Sequence, residues 1–274
     1  MYSVPKKVAA IHDLSGFGRC SLTAAIPILS SMGLHCCPMP TAILSNQTGY
    51  EDFSYLDFTP YMPDFISGWR RRGLSFDAVY SGFLGSVDQI DIVTDFIKHF
   101  SGPDTLVAVD PVMGDNGCKY HGFSDDMCSR MKDLVRCADI VYPNFTEALM
   151  LTGRDPSADS FREPEKLARE ISALGPRKVI ITGAVAHDKV TNYIFDSLSD
   201  SFSFVSGPYS GTSYSGTGDI FASIVTGSLT LGRSLEVSVR SAADFISKAV
   251  TYADNLGSDP REGVIFEPFL RELS

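Results

Sequence analysis

The sequence predicts an α/β fold, a three-layer α/β/α sandwich whose central sheet is mainly parallel with some antiparallel edge strands. Two observations carry that expectation: short β-rich apolar runs alternate with helical patterns along the whole chain, and the unusual polar residues cluster where strands end. No internal repeat, low-complexity tract or linker interrupts the pattern, so residues 1–274 are expected to form one domain, an ordinary size for an α/β fold.

Taken in order, Lys7 to His12 reads as a buried strand. Cys20 to Met32 follows as a helix with Leu22, Ile26, Leu29 and Met32 near helical spacing and Pro27 as a potential kink. Strands are expected at His35 to Leu44 and Ala78 to Ser81. Ser86-Val87-Asp88-Gln89 then fits a capping box, opening a helix with Val87, Ile90, Val93, Ile97 and Phe100 on one face. The alternation continues with a strand at Thr105 to Val109, a helix at Asp125 to Val135, a strand at Asp139 to Tyr142 and a short helix from Phe145 to Leu151 closed by Gly153. Pro164 to Leu174 is helical and Lys178 to Thr182 a β-branched strand. Val190 to Phe195 and Phe202 to Val205 suggest a hairpin-like pair, and helices over Asp219 to Leu231 and Leu235 to Asn255 end the pattern.

Composition narrows the function classes. The chain is 44% hydrophobic and 20% charged with a formal net charge of −10, which suits a globular protein and disfavours nucleic acid or an anionic membrane as partner. Arg70-Arg71-Arg72 is too short to reverse that and reads as a solvated helix end. Lys6-Lys7 is followed only by Val8-Ala9-Ala10-Ile11, shorter than a secretory core, and no run nears membrane-spanning length, so the expectation is cytoplasmic. Six cysteines without C-x-x-C or zinc spacing read as reduced thiols, with Cys36-Cys37 part of a strand rather than a disulfide.

The most informative stretch is Gly216-Thr217-Gly218-Asp219 before the apolar run Ile220-Phe221-Ala222. Two glycines let several N–H groups converge on an anion at the positive end of a helix, and an acid in the first turn can orient a hydroxyl for attack on phosphorus. The same residues also suit a plain tight turn in which Asp219 complements the helix dipole. Asp110-Pro111-Val112-Met113-Gly114-Asp115 leaves a strand with two carboxylates, or forms a polar turn. Asn144 and Glu147 straddle a strand-to-helix junction, either as N-cap and capping-box partner or with Glu147 joining Asp110 or Asp115 around Mg²⁺. Thr182-Gly183 ends another strand where a nucleotide could lie. The usual P-loop, dinucleotide-binding, protein-kinase, G-x-S-x-G and H-E-x-x-H patterns are missing. The histidines (His12, His35, His99, His121, His187) are scattered and read as surface or satisfied-core residues, with His12 and His121 the two worth testing.

Together these segments resemble the ribokinase superfamily and, within it, the pyridoxal kinase branch. The resemblance runs through Ser45-Asn46-Gln47-Thr48-Gly49-Tyr50, Asp110 to Asp115, Pro143 to Glu147, Leu151-Thr152-Gly153, Ile181-Thr182-Gly183 and Gly216 to Asp219, in order along nearly the whole chain. It implies a ribokinase-like fold in which Asp219 is the catalytic base and Gly216, Thr217 and Gly218 form the anion hole for the moving phosphoryl group. It implies Asp110, Asp115 and Glu147 as the metal and phosphate shell. Asn144, Thr182 and Gly183, with Thr217, fall at the nucleotide, and Tyr120 resembles a lid residue over it. Asp13, Ser15, Thr48, Phe83 and Ser215, with Asp219, fall at the acceptor ring. Asp13 stands where many pyridoxal kinases carry serine, Gln47 where histidine is common and Phe83 where tyrosine is common.

The activity the resemblance implies is ATP-dependent phosphorylation of the 5′-hydroxymethyl group of pyridoxal, pyridoxine or pyridoxamine. It brings Mg²⁺, ATP as co-substrate, room for a monovalent cation such as K⁺, and a homodimer. Hydroxymethylpyrimidine as the acceptor, or both rings, is one alternative, and a non-catalytic nucleotide- or B6-binding regulator is another.

Overall fold

The computed structural model describes residues 4–157 and 163–274. Its backbone is one nine-stranded sheet in the order β11-β10-β9-β8-β5-β4-β1-β2-β3, with a separate small hairpin, β6-β7. The strands are β1 (Lys7–Ser15), β2 (His35–Leu44), β3 (Tyr55–Asp57), β4 (Ala78–Ser81), β5 (Leu106–Val109), β6 (Gly114–Asp115), β7 (Cys118–Lys119), β8 (Ile140–Val141), β9 (Lys178–Ala186), β10 (Lys189–Asp196) and β11 (Ser201–Pro208). The pairs from β2 through β1, β4, β5 and β8 to β9 are parallel, while β3 and the β10–β11 pair add antiparallel edges.

The helices are α1 (Ser21–Ser31), α2 (Met62–Arg71), α3 (Val87–Phe100), α4 (Asp125–Val135), α5 (Phe145–Leu151), α6 (Pro164–Ser172), α7 (Thr217–Thr230) and α8 (Leu235–Leu256). Alternation along the strands sorts them into two layers. Val8, Ala10, Tyr80 and Ala108 pack with α1, α7 and α8. Ala9, Ile11, Val79 and Val107 pack with α2 to α6 on the other face. This is the expected three-layer sandwich.

Several details differ from the sequence reading. β1 continues past His12 and pairs with β2 as far as Ser15, with a register slip between His12 and Leu14. β3 and the β6-β7 hairpin are too short to carry a periodic signal and the reading omits them, whereas α2 does carry one, with Met62, Phe65, Ile66 and Trp69 at helical spacing against the core, and the reading took in only its basic end. At α3 the Ser86 side chain accepts from the Gln89 N–H, but Gln89 Oε1 accepts from Gly85 rather than Ser86, so the capping box is displaced by one residue. Pro27 lies inside α1, which continues through it to Ser31. All six cysteines are free, with Cys36 and Cys37 both within β2. Among the described residues no helix is long and apolar enough to cross a membrane.

Candidate active site

The carboxyl ends of the parallel strands and the N-terminus of α7 open on one cleft of ≈ 2020 Å³. Single-ligand sites usually enclose ~300–1,000 Å³, so this cleft has room for two ligands side by side. Every residue that the sequence placed at the site, from Asp13 to Asp219, lines it.

Gly216 is the N-cap of α7, with φ 78°. A Cβ there would lie 2.0 Å from the Arg19 carbonyl oxygen, so both conformation and space require glycine. The turn is tied down by backbone: Ser215 N–H donates to Pro260 O at 3.1 Å and Arg19 N–H to Glu262 O at 3.0 Å. No side chain caps α7, which leaves its first N–H groups for an anion. Gly218 is exposed, with open space where a Cβ would sit.

Asp219 follows in the first turn, its side chain 14% exposed. Its Oδ2 accepts the Ser21 N–H at 2.8 Å, and its Oδ1 lies 2.9 Å from His12 Nε2. Ser21 holds φ 51°, a left-handed conformation that is costly for a non-glycine residue, and from it delivers that N–H. His12 Nδ1 lies 3.0 Å from Asp13 Oδ1, and Asp13 Oδ2 accepts from the Ser15 hydroxyl at 2.9 Å. Burial alone would lower the His12 pKa, but Asp219 and Asp13 outweigh it and raise the value to about 10. Burial pushes Asp13 up, and His12 more than reverses this, leaving it below the usual carboxylate range.

The opposite wall is acidic. Asp110, buried just beyond β5, has its pKa raised by burial and then by the charge of Asp219. Glu147 is raised by burial and then by Asp110, against the pull of backbone N–H groups from Asn144 and Met113. Asn144 and Glu147 form a complete capping box at α5, and Glu147 Oε1 also accepts the Met113 N–H at 3.0 Å. Asn144 Nδ2 donates to Gly114 O at 2.7 Å, so the pair clamps the hairpin to the helix. The capping-box expectation for the junction is the one that forms, and both capping residues also line the cleft.

The three carboxylates expected around a metal do not converge. Among the described residues no group of three His, Cys, Asp or Glu side chains is poised to hold one. The reason is Asp115, which is exposed on the hairpin with its oxygens turned to the N–H and side-chain amide of Asn116. Asp110 and Glu147 remain as the buried, mutually repelling pair.

Around the rest of the cleft, Thr48 is exposed. Gln47 is committed to backbone: its Nε2 donates to Arg261 O at 2.7 Å and its Oε1 accepts Gly49 N–H at 2.6 Å. Phe83 meets Phe123 edge-on at 5.9 Å, and Phe123 meets Tyr120 at 6.4 Å, an aromatic chain running out to the hairpin. Gly183 holds φ 69° and donates its N–H to Asn192 Oδ1 at 3.1 Å, while the Thr182 hydroxyl is 3.5 Å from Pro143 O. His12, Ser21 and the segment around Pro260 to Glu262 are the parts that the sequence reading did not place at the site. His121 lines the cleft as well.

A family model described as phosphomethylpyrimidine kinase matches residues 20–263. The chain belongs to that family. Among curated relatives, pyridoxal kinase PdxY of Corynebacterium diphtheriae is 27% identical over 275 residues, 95% of this chain and 93% of that protein. Pyridoxal kinase PdxY of Deinococcus radiodurans is 29% identical over 193 residues, 68% of this chain and 65% of that protein. A Bacteroides thetaiotaomicron protein assigned as a phosphomethylpyrimidine kinase superposes with TM-score 0.95 at 45% identity, covering 100% of this chain and 96% of that one. An orthorhombic form of it, with pyridoxal, is 44% identical with TM-score 0.95 over 98% and 96% of the two chains. Pyridoxal kinase from Lactobacillus plantarum superposes at 0.90 with 28% identity, covering 98% of this chain and 96% of its own. The pyridoxal-kinase resemblance and the fold read from the motifs therefore agree with relatives found by sequence and by structure.

Proposed function

We propose that this chain is an ATP-dependent kinase of vitamin B6 alcohols, a phosphotransferase acting on the 5′-hydroxymethyl group of pyridoxal, pyridoxine or pyridoxamine in salvage to pyridoxal 5′-phosphate. The observation that carries the reading is the Asp219 carboxylate, partly open to the cleft at the uncapped N-terminus of α7. Asp219 holds the acceptor hydroxyl in line and takes its proton late, which a weak base can do in a loose phosphoryl-transfer transition state. The Gly216, Thr217 and Gly218 amides, at the positive helix end, stabilise charge on the migrating phosphoryl oxygens. Asp13, Ser15, Thr48, Phe83 and Ser215 are assigned to the ring, and Tyr120, Asn144, Thr182 and Gly183 to the nucleotide. Support for these substrates comes from relatives named pyridoxal kinases and from the pyridoxal form of the Bacteroides protein.

The residues present fit Mg²⁺. Among the described residues lining the cleft there is no lysine or arginine, so a triphosphate would meet carboxylates with no fixed side-chain cation on that wall. Asp110 and Glu147 would hold the ion, a small carboxylate count that suits Mg²⁺, while Asp115, exposed on the hairpin with its oxygens on Asn116, stands outside that pair. Bound there, it would neutralise phosphate charge. K⁺ enters only through the resemblance and is assigned no residue. The same reading makes the protein a single-domain, cytoplasmic homodimer, which its free thiols and the apolar Phe53, Leu56 and Tyr61 exposed around β3 suit.

The family description favours one other acceptor, hydroxymethylpyrimidine. Purified protein with ATP, with and without Mg²⁺, against the three B6 alcohols and hydroxymethylpyrimidine decides between them by kcat/KM. A higher value on the pyrimidine reassigns the substrate, and turnover of none of them leaves a non-catalytic binding protein.

A further inference from the structure

Asp219 is held from two sides, and among the described residues only one of its holders is a side chain: His12 at Oδ1, with the Ser21 N–H at Oδ2. His12 reaches it because residue 12 has the same parity as Val8 and Ala10, which face the α1, α7 and α8 layer. The imidazole is seated on Gly82, where a Cβ would lie 2.0 Å from Nε2. Any side chain at position 82 would displace the ring.

The protonation of the ring follows from its neighbours. Nδ1 faces Asp13 Oδ1 at 3.0 Å, yet the backbone N–H groups of Asp13 and Phe83 also point at Nδ1, each at 3.1 Å. If Nδ1 accepts, the neutral ring carries its proton on Nε2. If Nδ1 donates to Asp13, two flanking carboxylates favour the imidazolium, with protons on both nitrogens. Either arrangement puts a proton on Nε2, directed at Asp219 Oδ1. His12 therefore has no lone pair at Nε2 with which to take the substrate proton, and the base remains Asp219.

We propose that His12 is the positioning residue for Asp219, its Nε2–H fixing Oδ1 so that the carboxylate's free lone pairs face the acceptor hydroxyl, while Asp13 steadies the far side of the ring. This rests on the kinase reading. The charged and titratable groups that face His12 are Asp13 on its own strand, Asp219 from α7, Asp110 beyond β5 and Tyr80 from β4, whose ring centroid is 6.2 Å away. Among these His12 is the one cation.

The test compares His12→Ala and His12→Gln with the unaltered protein. His12→Ala lowers kcat on pyridoxal by about 10²-fold, the scale of loss when a reacting group is misplaced, with KM for ATP unchanged. His12→Gln, which keeps a donor, regains most of the loss. In an Asp219→Asn background the His12→Ala change costs nothing further, because the two residues act as one unit. Unchanged kcat in folded His12→Ala, or the same loss with and without Asp219, overturns the proposal. A second readout needs no turnover: in protein labelled with ¹⁵N-histidine, the His12 Nε2 resonance is that of a protonated nitrogen and moves on Asp219→Asn substitution but not on Thr48→Ala. A resonance unmoved by Asp219→Asn overturns the inference even if His12→Ala fails to fold. Absence of turnover on every alcohol by the unaltered protein instead sinks the kinase reading and leaves this spectral test standing.

Discussion

His12 Nε2 and Asp219 Oδ1 stand 2.9 Å apart although 207 residues separate them in the chain. The contact joins the carboxyl-terminal part of β1 to the first turn of α7, so the acid that faces the cleft is set by the central sheet as well as by its own helix. A mobile carboxylate would lose orientational advantage with each rotamer it visits, and a buried hydrogen-bonded partner removes that freedom.

The same contact predicts a pH signature. Burial opposes the charge on His12, but Asp219 and Asp13 raise its folded-state pKa from 6.5 to about 10. A raised histidine pKa means that the folded state binds the proton more tightly. The stabilisation is therefore complete below the unfolded value and is lost as pH rises through the folded one. Urea unfolding of the unaltered protein and His12→Gln at several pH values should show a stability advantage for histidine that is full below about pH 6.5 and disappears through about pH 10. An advantage that grows across that window would contradict the ion-paired assignment.

Gly216→Ala should harm both stability and turnover. The residue holds φ 78°, and the new methyl would meet the Arg19 carbonyl oxygen at 2.0 Å. The left-handed conformation alone costs an alanine ~1–2 kcal/mol, and the collision adds to it. A lower melting temperature and a lower kcat are expected together, measured by calorimetry and steady-state kinetics. Retention of both would mean that the turn does not need its observed shape.

Metal removal should stop catalysis rather than weaken it slightly, because the described lining of the cleft offers carboxylates but no lysine or arginine to a triphosphate. Chelation should abolish turnover, and Asp110→Asn should raise the Mg²⁺ concentration needed for half-maximal rate. Full activity in excess chelator would contradict the assignment of Asp110 and Glu147.

Much of this was legible in the sequence. Strand and helix alternation yielded the sandwich, and β2, β4, α4 and α5 lie on the expected residues because their periodicity and caps are strong. The site's acids were visible because they follow strands in loops rich in glycine and proline. His12 stood out only as a histidine worth testing, without a role: near a strand end it looks like any core polar residue until the layer that its face meets is known, and that depends on where α7 packs. Asp115 failed to join the other carboxylates because a two-residue-per-strand hairpin, too short for a periodic signal, carries it outward. The tie between Pro260 and the Gly216 turn is pure backbone and leaves no mark in residue type.

The central claim is that Asp219 is the base at the phosphoryl-transfer step, and the most direct measurement is the kcat of Asp219→Asn with Mg·ATP and pyridoxal. The substitution keeps size and hydrogen-bonding capacity while removing the proton acceptor. A fall of about 10²–10⁴-fold in a protein that still folds and binds ATP is the predicted result. A kcat close to that of the unaltered protein would contradict the account.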